Sequence, residues 1–93
     1  MKCIHFRLPS GAGGMAAAHQ LGQYRTKVSK FCVTYKIQSY NWSVEGYNFY
    51  VWFDEEKIYS LFFLVWEDAR PWSPPTIAEK EIPENYRLAE IKL

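Results

Sequence analysis

Histidine and cysteine are scarce, with two of each in 93 residues. His5, His19, Cys3 and Cys32 show none of the spacings by which short motifs ligate a metal, so no metal centre is expected. Two cysteines are also too few for a disulfide framework, and free thiols in a reducing, cytoplasmic compartment are expected. Long apolar runs are missing as well. The longest, Leu61 to Trp66, falls far short of the roughly 20 residues that span a bilayer, so no membrane association is expected. His5 and Arg7 interrupt the start of the chain before an apolar stretch of signal-peptide length can form. Acid is absent from residues 1–40, which carry Lys2, Arg7, Arg25, Lys27, Lys30 and Lys36, whereas residues 41–93 hold all ten Asp and Glu. In a compact domain such halves interleave and largely cancel, but the asymmetry can also mark a face for nucleic acid or an acidic partner.

Aromatic residues are plentiful: four Trp, seven Tyr and six Phe. A chain this short builds one core and buries only roughly 60–65% of its unfolded surface, so large side chains must carry its stability. One domain over residues 1–93 follows.

Ile4, Phe6 and Leu8 alternate with Cys3, His5 and Arg7, which predicts a strand over residues 2–8. Pro9, Ser10, Gly11, Gly13 and Gly14 then make a loop. Ala17, Leu21, Tyr24 and Val28 recur at intervals of three and four, opposite His19, Gln23, Lys27 and Lys30, predicting an amphipathic helix over 15–29. Alternation returns from Phe31 and predicts a strand over 31–43, a turn at Glu45 and Gly46, and a strand over 47–53. Asp54 to Lys57 read as a four-residue hairpin loop leading into a strand over 58–66, apolar on both faces and therefore central. Pro71, Pro74, Pro75 and Pro83 predict a long connection, with Thr76 and Glu79 matching the capping box of a short helical turn. Residues 86–93 fit strand or helix, since Arg87, Ala89, Ile91 and Leu93 alternate while Leu88 and Ile91 sit three apart, and a closing strand is the preferred reading. The fold class is α+β, a single helix packed on a four- to five-stranded antiparallel sheet in the order β-α-β-β-β-(β).

No constellation supports catalysis. Cys3 and His5 share a strand face, but no third residue orients them as nucleophile and base. Asp54, Glu55 and Glu56 sit in a solvated turn where nothing shifts a pKa. The glycine-rich stretch before the helix lacks the P-loop and dinucleotide patterns, so no cofactor is expected. Tyr50 and Trp52 on one strand face suggest stacking on single-stranded nucleic acid, but they lie in the acidic half, where phosphate is repelled.

The run Trp42-Ser43-Val44-Glu45-Gly46-Tyr47-Asn48-Phe49-Tyr50-Val51 resembles the Gln-x-Val-x-Gly loop of cystatins and the strand after it, matching at Val44, Gly46, Asn48, Tyr50 and Val51. Pro71-Trp72 follows at an interval similar to that family's second loop. Trp42 stands where the family has Gln, Glu45 adds a charge, and the helix lacks the family's Leu-Ala-Arg-Phe-Ala pattern. The resemblance implies a cystatin-like sheet wrapped around a helix and an inhibitor of papain-type cysteine proteases. Trp42, Ser43, Val44, Glu45, Gly46, Pro71 and Trp72 would then enter the enzyme cleft. The expectation is thus a non-catalytic binding module with a protein partner. Its alternatives are a small adaptor or virus-encoded antagonist that blocks a host enzyme through the basic helix face of Arg25, Lys27 and Lys30, and a binder of single-stranded nucleic acid.

Overall fold

The computed structural model describes residues 1–10, 14–66 and 74–92. The alternation at the start of the chain forms β1 (Lys2–Arg7), with Ile4 and Phe6 fully buried. Gly14, at φ 70, turns the chain into α1 (Met15–Thr34), which buries Ala17, Gln20, Tyr24, Val28, Phe31 and Cys32 at helical intervals.

The helix runs five residues beyond the expected 15–29. Phe31 and Cys32 follow Val28 by three and four, so they continue the buried stripe, and the alternation read from Phe31 is overridden by that packing. A Schellman arrangement ends the helix: Lys36 takes φ 58, its N–H meets the Val33 carbonyl at 3.4 Å, and the Ile37 N–H meets the Cys32 carbonyl at 2.8 Å. A lysine in the left-handed region gives no sequence signal of a helix end.

β2 (Ser39–Glu45) and β3 (Asn48–Trp52) form the expected antiparallel hairpin, with Asn41 opposite Trp52 and Glu45 opposite Asn48. Gly46 makes the turn at φ 61, and a Cβ there would meet nothing within 4 Å. The cost of replacing it is therefore backbone strain alone. Gly46→Val is expected to lower stability by about 1–3 kcal/mol in urea unfolding without disturbing the core.

The segment expected to be a turn and a strand over 54–66 is instead a second helix, α2 (Glu56–Val65). Tyr59 and Phe62 point into the core, and Ile58, Leu61, Phe63 and Trp66 pack against it. An uncharged run with both faces apolar fits a buried strand and a helix equally; the two are separated by packing rather than by period. The fold therefore has two helices where one was expected. Thr76 and Glu79 bound a strand, β4 (Thr76–Glu79), rather than a helical turn, and the closing strand is β5 (Arg87–Glu90).

All five strands join one antiparallel sheet in the order β4-β1-β3-β2-β5. β1-α1-β2 and β3-α2-β4 are split β-α-β units, each threading its strands around one strand of the other. This is the ferredoxin-like arrangement, with β5 added at the β2 edge. The class is α+β, with the long helix α1 packed on an antiparallel open sheet. The core between helices and sheet joins Ile4, Phe6 and Leu8 to Tyr24, Val28, Phe31, Phe49, Val51, Phe53 and Phe62.

Candidate interaction surfaces

The opposite sheet face carries Cys3, His5 and Arg7 from β1 and Asn48, Tyr50 and Trp52 from β3, the partners in register of one another and of Asn41, Ser43 and Glu45. β4 and β5 lie at opposite edges, so residues 80–86 must cross the sheet. They pass over this face: the Trp52 indole N–H donates to the Lys80 carbonyl at 2.9 Å, and Lys80 Nζ lies 5.0 Å from the Tyr50 ring centroid. Lys80 Nζ also meets Glu45 at 2.7 Å, and this hydrogen bond holds the ammonium pKa above its ordinary value. Under that crossing Trp52 and Cys3 have no exposed surface.

Beyond the crossing, His5 stacks on Tyr50 with ring centroids 5.0 Å apart. The Asn48 amide donates to the Glu45 carbonyl at 3.2 Å, which orients it so that its oxygen accepts from His5 Nε2 at 2.8 Å. Tyr50 is flanked by His5, Trp52 and Lys80, so its ring is already engaged within the protein. Trp52, one of the two aromatics expected to stack on bases, is buried. Both thiols are buried too: burial pushes Cys3 up to about 11 and Cys32 up to about 12, leaving each protonated at neutral pH. Among the described residues, no group of His, Cys, Asp and Glu is arranged to hold a metal ion, and no helix is long and apolar enough to cross a membrane.

The hairpin residues expected to enter a cleft divide. Trp42 is only 9% exposed and belongs to the core, because it points to the helix side of the sheet. Ser43 is buried on the opposite face, while Val44, Glu45, Gly46 and Tyr47 are exposed at the hairpin end. Pro71 and Trp72 lie outside the described residues.

The three cations of the helix face divide around α1. Arg25 lies over Trp42, its guanidinium carbon 4.5 Å from the ring centroid, on the side of β2 and β5. Lys27 Nζ is 5.0 Å from the Trp66 ring, on the side of α2. Lys30 is exposed beside the α1–α2 groove, whose lining includes the half-buried Lys27 and the exposed Thr34 and Val65. Two of the cations are thus laid over indoles, which pack their stems and fix where the charge is presented. Sequence reasoning found these three residues but missed a fourth: Arg87 on β5, directly opposite Trp42, has its guanidinium carbon 5.6 Å from the same ring. Only the pairing of β5 with β2 reveals it, and those strands are separated by more than forty residues.

No protein-family model, no curated protein and no solved structure matches this chain.

Proposed function

We propose that the chain is a non-catalytic protein-binding module that engages an acidic partner surface through the outer side of α1. One observation carries this reading: α1 has twenty residues without a single Asp or Glu, and its Arg25 and Lys27 are held over Trp42 and Trp66. Cations fixed in this way lose less freedom when they meet carboxylates, and an acid-free helix steers an acidic partner to itself. The sheet's opposite face supports the nucleic-acid alternative less well, since Trp52 is covered and Lys80 is paired with Glu45.

The test is capture of the partner from the native host by the intact protein, at low and at high salt. Lys27→Glu with Lys30→Glu is expected to slow association at least about tenfold at low salt, and Lys30→Glu alone, which leaves Lys27 on Trp66, is expected to slow it in the same direction. Capture that is insensitive both to these changes and to salt contradicts the reading.

Inhibition of papain-type cysteine proteases is a second reading, supported by the exposed Val44–Tyr47 end of the hairpin and the left-handed Gly46. Failure of the purified protein to inhibit such a protease at micromolar concentration removes it.

A further inference from the structure

We infer that Arg25 and Arg87, brought over Trp42 by α1 and β5, form a clamp for a single oxyanion carried by a partner's side chain, a carboxylate or a phosphoryl group. The inference rests on the reading of α1 as the surface for an acidic partner, and it names the point where that partner is anchored.

Three elements build the site. Trp42 stands on β2, on the helix side of the sheet; Arg87 is its direct cross-strand neighbour on β5; Arg25 descends from α1. Since both guanidiniums lie against one indole ring, they are held no more than about 10 Å apart. Both arginines are exposed, and among the described residues neither is ion-paired.

No acid faces them from the elements that make the site. α1 has none; β2 presents Tyr40, Trp42 and Val44 on this side; β5 presents Arg87 and Ala89, while Glu45 and Glu90 belong to the opposite face. The neighbouring polar groups are the Tyr40 phenol and Ser29. Burial raises the Tyr40 pKa, against hydrogen bonding from Ser29 and the charge and hydrogen bond of Arg25, which steadies the Arg25 guanidinium on this side of the ring. Two like charges held against one ring with no acid facing them from α1, β2 or β5 repel each other, and an oxyanion reached by both relieves that repulsion while accepting charge-assisted hydrogen bonds from each. The same geometry speaks against a nucleic-acid strand, which asks for a track of cations: Lys27, the nearest lysine in sequence, lies on the other flank of α1 against Trp66.

The test is a titration of the full chain at low ionic strength, followed by NMR at the Arg Nε–H and Trp Nε1–H resonances. Three probes are used: a short glutamate-rich peptide, the same peptide with one phosphoserine, and an oligothymidylate of similar length. Saturable shifts at Arg25, Arg87 and Trp42 with either peptide are expected, and the tighter peptide identifies the oxyanion. Arg25→Lys and Arg87→Lys keep the charge but lose the fork, and each is expected to weaken binding about tenfold. Equal affinity in the lysine variants, shifts with the oligonucleotide alone, or no saturable shift overturns the clamp. The two readings fail separately. A captured partner that is sensitive to Lys27→Glu and Lys30→Glu but indifferent to Arg→Lys removes the clamp and keeps the acidic partner. Peptide binding at the clamp beside charge-insensitive capture does the reverse.

Discussion

Phe62→Ala is expected to destabilise the protein by about 3–5 kcal/mol, a large part of the stability of a domain this size. Phe62 is 1% exposed and its ring meets five others: Trp66 at 4.9 Å, Phe31 at 5.1 Å, Phe63 at 5.7 Å, Phe6 at 6.1 Å and Phe53 at 6.3 Å between centroids. These rings come from β1, α1, α2 and the residues flanking α2, so one side chain ties both helices to the sheet. Removing it leaves a cavity walled by stiff aromatic groups that cannot collapse into it. Urea unfolding followed by far-UV circular dichroism measures the loss. A cost below about 1 kcal/mol would mean that α2 does not dock on the sheet in this way.

Tyr59→Phe has the next largest expected effect, for a different reason. The buried Tyr59 hydroxyl accepts from the Phe53 backbone N–H at 2.8 Å and donates to the Lys2 carbonyl at 2.9 Å, with the Phe53 carbonyl at 3.2 Å as a second acceptor. It thereby joins the exit of β3 to the start of β1 and satisfies backbone groups that no ladder reaches. Phenylalanine fills the same volume but strands the Phe53 N–H, so the loss is expected at about 1–3 kcal/mol. Amide exchange at Phe53 should rise in step, and unchanged protection there would mean that water already serves this group.

Where local pattern and tertiary packing agree, the architecture was legible in the sequence. The first strand and the phase of α1 carry a clear period and Gly46 marks the hairpin, although the link is Gly46–Tyr47, with Glu45 still paired to Asn48; residues 86–93 fit strand and helix alike by period, and pairing with β2 decides for the strand. The second helix was not legible. Ile58 to Trp66 contains no charge, so neither period two nor period 3.6 has a polar face to reveal it, and only Phe62 meeting Phe31 and Phe6 decides for a helix. β4 lay hidden for a related reason: its neighbours Pro74 and Pro75 argue against a strand, yet both precede the first paired residue and cost the ladder nothing. The candidate site divides in the same way. Arg25, Lys27 and Lys30 stand out because no acid accompanies them, whereas the burial of Trp42 and the approach of Arg87 depend on β5 pairing beside β2.

If, as proposed, the outer side of α1 meets an acidic partner surface, its lysines lie against carboxylates of that partner. The most direct test is carbodiimide coupling of the intact protein to its captured partner, which joins amines to carboxylates only where they touch. Carboxylates of the partner linked to Lys27 or Lys30 are the predicted result. Linkage confined to Lys2, Lys36, Lys57, Lys80 or Lys92, with none on α1, would contradict it.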